Sequence, residues 1–386
     1  MQRRLAGLLL LALITALATA CAAVAAPKRP PATLRVADLL LVGFRGTEVD
    51  GNEDVRRLVC DVKVGGLILF ERDVATGQSR NIESPDQLRK LTTDLQELAK
   101  QCAGRPLFIA VDAEGGPVMR LSPRLGYPAT MSARELGQSG DLTLTEAEAR
   151  RIAVMLRDAG INWNLAPVVD VAVNPANPAV VVPGRTFSAD PEQVTAHARA
   201  FIRGMHAEGI LTALKHFPGH GSSLGDSHAG FTDVSDTAEL TVELLPYRAL
   251  IKEGLADSVM TAHVFNRGLD PWDPATLSRY TVNRILRHRF GYKGVVVSDD
   301  LLMGAITRRY GLEEAAAKAL GAGVDVLLIS GNAPRAELYA AERVVLAVNQ
   351  AMATGLLSKK RVIEALGHVS ALRARIYTSR AATAQR

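Results

Sequence analysis

From about residue 38, the sequence alternates short apolar runs with longer amphipathic segments. This alternation is typical of βα units, in which a crossover helix follows each strand and the strands form a parallel sheet. Eight apolar runs can be counted, which predicts an α/β domain folded as a single (β/α)8 TIM-type barrel over residues 35–380. The predicted strands span 39–43, 66–70, 107–112, 162–168, 213–216, 258–262, 294–298 and 324–329.

Amphipathic segments supply the predicted outer ring of helices. The segment 174–187 has no helical pattern, and the glycine-rich segment 218–230 is also predicted to be a loop. Crossover helices are predicted over 85–102, 142–159, 191–208 and 313–322, and two further helices, over 335–353 and 358–377, would complete the ring.

The composition is that of an ordinary globular protein. Hydrophobic residues make up 48% and charged residues 22%, which excludes a disordered or fibrous chain. The formal net charge is +5, but the basic residues are scattered along the sequence, so binding to nucleic acid is not expected.

The first 26 residues have the features of an export leader. Arg3 and Arg4 precede an apolar run over 8–13, and small residues follow around position 20. The run is shorter than the roughly 20 residues that span a bilayer, which disfavours a permanent transmembrane anchor. Residues 18–21 resemble a bacterial lipobox ending at Cys21, whereas cleavage near Ala25 would release a soluble protein. We therefore expect an exported bacterial protein, periplasmic or membrane-anchored, that contacts the membrane only through a lipid on Cys21.

Two further cysteines, Cys60 and Cys102, lie near the ends of predicted helices. An exported protein experiences conditions that permit disulfide formation. The sequence leaves two possibilities open, a disulfide bond between them or two buried free thiols.

Polar residues follow the predicted strands repeatedly, and a barrel of this type places catalytic groups at the carboxyl ends of its strands. The sequence therefore predicts an active site at that face. The residues concerned are Asp112 and Glu114 after the third strand, Asp170 after the fourth, Lys215 and His216 at the end of the fifth, His263 after the sixth, and Asp299 and Asp300 after the seventh.

The segment KHFPGHGSSLGDSH, residues 215–228, contains three histidines and one aspartate. His216 and His220 are four residues apart, as in a zinc-binding helix. Pro218 and Gly219 lie between them and disrupt such a helix, so the two imidazoles would not share one face. We therefore expect no metal ion and no cofactor.

Asp226 and His228 form the more informative pair within this segment. An aspartate that accepts one ring N–H fixes the tautomer of the imidazole and leaves the other nitrogen to exchange a proton with a substrate. A surface loop whose polar side chains only cap turns would have the same sequence. The residues alone favour neither interpretation.

Asp299 is the candidate nucleophile, because it follows a strongly apolar strand. Glycoside cleavage with retention of configuration needs such a carboxylate beneath the anomeric carbon. Asp300 is adjacent, but neighbouring residues at a strand end point in opposite directions. We expect Asp300 to cap the following helix and Asp299 to face the barrel axis.

Asp112 could accept hydrogen bonds from two adjacent sugar hydroxyls. A neutral polyol needs several fixed partners for orientation. The candidate donors around the same ring are Arg120, Arg185, Lys215 and His216.

Together these motifs resemble glycoside hydrolase family 3, and within it the NagZ-type β-N-acetylglucosaminidases. The resemblance extends from about residue 39 to residue 376. The motifs are VDAEGG at 111–116, NPANPAVVVPGRTFSADP at 174–191, KHFPGHG at 215–221, DSH at 226–228 and VVSDDLLMG at 296–304.

The resemblance implies a two-step retaining mechanism with Asp299 as nucleophile and Asp226 with His228 as the acid/base dyad. It implies substrate contacts by Asp112, Arg120, Arg185, Lys215 and His216. Family members that cleave β-glucosides generally lack the DSH motif and take their acid from a second domain. The implied substrate is therefore a small carbohydrate with terminal β-linked N-acetylglucosamine, such as a muropeptide from peptidoglycan, and the implied enzyme is a monomer.

The sequence departs from the family pattern at two places. Pro117 occupies the position at which the family usually has arginine, although Arg120 is retained, and residues 229–231 differ from those that usually follow DSH. Two other functions stay open. A neutral His228 would not repel phosphate, which permits a phosphorylase, and a non-catalytic wall-binding lipoprotein could have the same leader.

Overall fold

The computed structural model describes residues 34–332 and 339–383, the last seven of these by their backbone alone. Eight short parallel strands form one sheet, in the order β7-β6-β5-β4-β3-β2-β1-β8. The strands are β1 Leu40–Gly43, β2 Gly66–Ile68, β3 Phe108–Val111, β4 Trp163–Asn164, β5 Leu211–Phe217, β6 Ser258–Thr261, β7 Val295–Val297 and β8 Leu327–Ile329.

The two outer strands of this order, β7 and β8, lie next to each other and nearly close the sheet into a barrel. Val297 forms a parallel bridge with Val326. The N–H of Ser298 donates to Val326 O over 2.9 Å, and the N–H of Leu301 donates to Leu328 O over 3.0 Å. The predicted α/β fold with eight parallel strands is confirmed.

The strands are buried because both faces of the sheet are covered. The run Val295–Val297 is fully buried, as expected of a parallel strand with β-branched side chains on both faces. Trp163 is also fully buried, and its ring centroid lies 5.2 Å from that of Phe108. Its indole N–H donates to Ser258 Oγ over 3.1 Å, so the one polar atom of the ring is satisfied.

Helices follow most strands and form the outer layer. Two π-helical segments, Arg57–Val62 and Tyr280–Arg289, belong to the same layer. The α-helices are α1 Glu53–Arg56, α2 Pro85–Ala103, α3 Ala133–Ser139, α4 Leu142–Asp158, α5 Pro191–Ala207, α6 Leu240–Glu243, α7 Leu245–Lys252, α8 Gly304–Thr307, α9 Leu312–Ala322, α10 Ala340–Thr354 and α11 Lys359–Thr383.

Local sequence signals explain where the long helices begin. The Ser84 hydroxyl caps α2 by accepting from Gln87 N–H, and Pro85 occupies the first turn. The Asp190 carboxylate caps α5 in the same way. The four predicted crossover helices are therefore found within a few residues of their predicted bounds.

The C-terminal helices differ from the prediction in their bounds. The start of the helix predicted over 335–353 falls partly on residues outside the described part of the chain, and α10 begins at Ala340. The last helix was predicted to end at 377, but α11 continues to Thr383. The predicted leader and Cys21 also lie outside the described residues.

A buried carboxylate organises the amino-terminal end of the barrel. Asp325 is fully buried just before β8 and accepts from Val296 N–H over 2.9 Å. Arg287, Arg361 and His368 all bind this carboxylate. Asp325 therefore connects α11 and the segment Tyr280–Arg289 to the bottom of β7 and β8.

Cys60 and Cys102 form a disulfide bond, which resolves the alternative that the sequence left open. The bond joins the helical turn Arg57–Val62 to the end of α2. Within the described ranges, no helix combines the length and the apolar character needed to cross a membrane.

Candidate active site

A cavity of about 500 Å3 lies at the carboxyl ends of the strands, among the loops that follow β2, β3, β4, β5, β7 and β8. It brings together side chains that are more than 180 residues apart in the sequence. Asp226 does not line the cavity but binds a residue that does. The other seven predicted site residues line it: Asp112, Arg120, Arg185, Lys215, His216, His228 and Asp299.

Asp299 lies two residues beyond the end of β7, with its carboxylate on the cavity wall. Its Oδ1 accepts from the N–H of Asp300 over 2.8 Å. Burial by itself raises the pKa of the Asp299 carboxyl group. The neighbouring imidazoles, above all that of His263, together with the Asp300 N–H, outweigh burial and lower the pKa. The group is therefore a carboxylate at neutral pH, as a nucleophile requires.

Asp300 has structural contacts, but they differ from those expected. The helix after β7 begins at Gly304 with Met303 in the N-cap position, so the prediction that Asp300 caps this helix is wrong. Its Oδ1 accepts from Leu302 N–H over 3.2 Å and from Ser330 N–H over 3.0 Å, and the Ser330 hydroxyl donates to Oδ2. Asp300 thus connects the end of β7 to the end of β8.

His228 and Asp226 lie on the loop after β5 and form a pair. The His228 Nδ1 lies 2.7 Å from Asp226 Oδ1, which also accepts from the His228 N–H over 2.9 Å. The hydrogen bond to Asp226 raises the pKa of His228 above its ordinary value of 6.5, although burial opposes the shift. The same bond lowers the pKa of Asp226 to about 2. Because Asp226 occupies Nδ1, His228 has Nε2 available for proton exchange.

A buried histidine fixes the loop that carries this pair. His220 accepts or donates through both ring nitrogens, to Ser223 Oγ over 2.9 Å and to Ser227 Oγ over 3.0 Å. The backbone N–H of His220 donates to Asp170 Oδ1 over 2.8 Å. Burial lowers the pKa of His220 to about 4, so the ring is neutral at physiological pH. Ser227 lies between Asp226 and His228, so this network holds the pair directly.

The loop also rests on the segment that follows Asp299. The N–H of Gly304 donates to His228 O over 3.3 Å, and that of Ala305 donates to Ser227 O over 3.2 Å. A Cβ atom at Gly304 would lie only 3.0 Å from Ala229 O. The absence of a side chain at Gly304 permits this close approach.

An ion network closes the inner end of the cavity. Arg185 binds Glu114 through two hydrogen bonds of 2.8 and 2.9 Å. Lys215 Nζ lies 2.6 Å from Glu114 Oε1 and 2.8 Å from Asp112 Oδ1. Burial opposes ionisation of Glu114, but Arg185 and Lys215 hold the pKa of its carboxyl group well below the usual range.

Glu114 is the member of this network for which the sequence predicts a place at a strand end but no role in the site. Its side chain is only 4% exposed and joins the two predicted donors, Arg185 and Lys215. The signal that could have found it is its place after β3, beside Asp112 and before two glycines. Asp170 was passed over in the same way, although it binds His216 Nδ1 over 2.7 Å.

Arg120 also lines the cavity, as does Pro117. Its Nη2 lies 3.9 Å from Asp112 Oδ2 and its guanidinium group lies 5.9 Å from the Phe70 ring centroid. Its Nε is buried and has no hydrogen-bond partner among the described residues. The side chain as a whole is 35% exposed, so the other guanidinium nitrogens can donate to a ligand in the cavity.

The part of the chain that the structure describes contains no cluster of three or more His, Cys, Asp or Glu side chains arranged to hold a metal ion. His216 and His220 instead have their ring centroids 5.9 Å apart in an edge-to-face arrangement, and each binds a different neighbour.

Comparison with known proteins establishes the class to which this fold and cavity belong. The model of the glycosyl hydrolase family 3 N terminal domain matches residues 33–372. The chain therefore belongs to glycoside hydrolase family 3, as the sequence motifs predicted.

Three similar proteins define its relationships more narrowly. The chain is 37% identical over 298 residues to a beta-hexosaminidase of Alkalilimnicola ehrlichii, covering 75% of this chain and 80% of the relative. It is 33% identical over 349 residues to beta-hexosaminidase A of Pseudoalteromonas piscicida, covering 86% of this chain and 56% of the relative. A family 3 β-N-acetylglucosaminidase structure from Paenibacillus sp. str. FPU-7 superimposes with a TM-score of 0.82 and 36% identity. The match covers 90% of this chain and 63% of that protein. The chain thus spans less than two thirds of the last two proteins.

Proposed function

We propose that this protein is a retaining exo-β-N-acetylglucosaminidase whose active site is the cavity at the carboxyl ends of the barrel strands. The observation that carries the proposal is the position of His228, whose ring lines the same cavity as Asp299 while Asp226 occupies its Nδ1. An ionised carboxylate and a protonated imidazole in one cavity are the two groups that a double displacement requires. Family membership and the names of the similar proteins support the same activity.

In the first step, an oxygen of the Asp299 carboxylate attacks the anomeric carbon of a terminal β-N-acetylglucosaminide. The bond from that carbon to the glycosidic oxygen breaks. His228 donates its Nε2 proton to the departing oxygen, which leaves as an alcohol. The products of this step are a glycosyl ester on Asp299 and a neutral His228, whose remaining N–H is held by Asp226.

In the second step, water enters the position that the leaving group vacated. His228 removes one proton from the water, and the water oxygen attacks the anomeric carbon. The ester bond to Asp299 breaks, which restores the carboxylate and the imidazolium and releases N-acetylglucosamine with retained configuration. Because Asp226 stays ionised at a pKa of about 2, it stabilises the imidazolium that donates a proton in the first step and forms again in the second.

The ion network at the inner end of the cavity would orient the terminal sugar. Asp112 has a side chain 18% exposed and can accept from ring hydroxyls, while Lys215, Arg185 and His216 can donate. Arg120, whose side chain is 35% exposed beside Asp112, would donate to the same sugar. A cavity closed by buried ion pairs accommodates the end of a chain rather than its middle, which favours exo cleavage.

The natural substrate that we propose is a peptidoglycan fragment or a related oligosaccharide, cleaved outside the cytoplasm by a monomer. The leader predicted for residues 1–26 supports export to the periplasm or to a lipid anchor at Cys21. A muropeptide carries the terminal β-linked N-acetylglucosamine that the proposed site would cleave.

Trapping of the covalent intermediate tests the proposal. The protein is incubated with a 2-acetamido 5-fluoro glycosyl fluoride, and intact-mass spectrometry is followed by peptide mapping. We expect one sugar adduct on the peptide that contains Asp299, and no adduct on Asp299→Ala. Asp300→Asn is the matched control, because this neighbour binds Ser330 and should leave the adduct in place.

The products of turnover decide between hydrolysis and the other functions that the sequence left open. An aryl β-N-acetylglucosaminide is turned over in phosphate buffer, and the released sugar is identified. We expect free N-acetylglucosamine. A predominant sugar 1-phosphate would identify a phosphorylase, and neither adduct nor turnover would leave a non-catalytic wall-binding protein.

A further inference from the structure

A second cavity, of about 610 Å3, lies at the opposite end of the barrel from the candidate active site. Two observations place this cavity at the amino ends of the strands. Arg287 donates to the carbonyl of Gly294, directly before β7, and Gly323, four residues before β8, lines the cavity. The groove lies between the helical segment Tyr280–Arg289 and the turn that joins α10 to α11.

The two segments that border this groove are strongly basic. Residues 279–293 contain no acidic residue, and residues 355–368 contain one, Glu364, which lies 4.0 Å from Arg361. Arg287 and Arg361 bind the buried Asp325, so they form the floor and are already paired. The exposed side chains that define the basic rim are Arg279, His288, Arg289, Lys293, Lys359 and Lys360.

An apolar side chain projects from the middle of this basic rim. Leu356 is 87% exposed, in the turn between α10 and α11, and lines the groove two residues before Ser358 and the Lys359–Lys360 pair. Ile363, in the first turns of α11, is 55% exposed. Cations around exposed leucine and isoleucine side chains are the combination by which proteins bind the interface of an anionic bilayer.

The chain enters the barrel at this same end. The turn Val36–Leu39 directly precedes β1, and β1 lies beside β8 in the sheet. Cys21 lies 14 residues before Arg35 in the sequence. A stretch of that length reaches at most about 50 Å when fully extended. That reach is sufficient for this end of the barrel to contact a bilayer that holds such a lipid.

We infer that the basic rim with Leu356 is a docking surface for anionic lipid headgroups. The cations bind the headgroup phosphates, and Leu356 inserts among the acyl chains at the interface. The carboxyl-end cavity then faces away from the bilayer, toward the wall. This inference does not depend on the chemistry proposed for that cavity.

Vesicle co-sedimentation of the full chain tests the inference. Binding is measured to phosphatidylcholine vesicles with and without phosphatidylglycerol, and the ratio of the two partition coefficients is compared between variants. The leader is present in every variant, so its contribution to the ratio is shared. We expect the double variant Lys359→Gln/Lys360→Gln to lower the ratio roughly 25-fold, and Leu356→Ser to weaken binding to both compositions. Added salt should reduce the ratio for the native chain because it screens the cations.

A matched control removes two exposed cations at the other end of the barrel. Arg267→Gln/Arg309→Gln has the same change in net charge but lies in the loops after β6 and β7. We expect this variant to keep the native ratio, and both double variants to keep native turnover of an aryl glycoside. Equal losses in the two double variants would reduce the effect to net charge and overturn the proposal. Binding to a soluble polyanion without preference for phosphatidylglycerol vesicles would overturn it as well.

Discussion

The backbone carbonyl of His228 accepts a hydrogen bond from the N–H of Gly304, 3.3 Å away. The loop with the proposed acid therefore rests on the segment that follows the proposed nucleophile, Asp299. This contact, together with that of Ala305 N–H with Ser227 O, links the positions of the two proposed catalytic groups.

Gly304→Ala is expected to disturb this contact. The new Cβ would lie 3.0 Å from Ala229 O, so the loop must shift by a few tenths of an ångström. Misplacement of a catalytic group is costly, and we expect kcat to fall about 10-fold with little change in KM. Gly321→Ala is the control, since its Cβ would be 3.9 Å from the nearest atom. Steady-state kinetics that show the same kcat for both variants would contradict the role of the contact.

His228→Ala is expected to remove general acid catalysis, which typically contributes about 10²- to 10⁴-fold to a rate. The loss should depend on the leaving group, because a phenol of low pKa departs without a proton. We therefore expect a large loss of kcat/KM on an alkyl glycoside and a much smaller loss on a dinitrophenyl glycoside. Equal losses on a series of aryl and alkyl glycosides would exclude His228 as the acid.

Asp226→Asn is expected to change the pH profile. The hydrogen bond that His228 donates to Asp226 raises the pKa of His228, and an acid catalyst is active only below its pKa. Activity is thus lost as the pH rises through that raised pKa. Without the carboxylate, the pKa falls and the alkaline limb of kcat/KM should move to lower pH. Asp233→Asn, an exposed aspartate beyond the same loop, should leave this limb in place.

Glu114→Gln should leave Arg185 and Lys215 without their shared carboxylate. Breaking a buried ion pair by removal of one partner costs about 3–5 kcal/mol in stability, and the two cations would also lose their fixed positions in the cavity. We expect a lower midpoint in urea and a rise in KM for the terminal sugar. Glu148→Gln breaks the pair of Glu148 with Arg151, outside the cavity, and should reduce stability without a change in KM.

The Cys60–Cys102 disulfide closes a loop with a sequence separation of 42 residues. The chain-entropy model gives a stabilisation of about 4 kcal/mol for a loop of this size. We expect Cys60→Ser/Cys102→Ser to lower the free energy of unfolding by up to that amount, as measured by urea titration. Neither cysteine lines the cavity at the carboxyl ends, so turnover at 25 °C should stay unchanged. Reduced native protein should unfold at the same urea concentration as the double variant.

Much of the candidate site could be predicted from the sequence because its residues lie at repeated positions in the chain. Asp112 and Asp299 each follow an apolar strand and Lys215 lies near the end of another, and all parallel strands of a barrel end at the same face. The spacing in DSH also places an aspartate within reach of His228 without any long-range contact. For such residues, the local sequence pattern and the barrel topology are sufficient to predict a place in the candidate site.

Other features required the tertiary structure. Asp300 was expected to cap a helix, but its carboxylate binds Ser330, which lies 30 residues away. Glu114 became part of the site only through Arg185, and Gly304 only through the loop at His228. The basic rim comes from two separate segments of the sequence, which Arg287 and Arg361 hold together by binding the same carboxylate, Asp325.

The sequence by itself therefore predicted the barrel and the strand ends at which the candidate site lies, and it left the role of Asp226 and His228 open. The tertiary structure decided the partner of each buried polar group. The physical reason is that periodic burial and strand direction are properties of local segments, whereas hydrogen-bond and ion-pair partners depend on which segments meet after the barrel has closed.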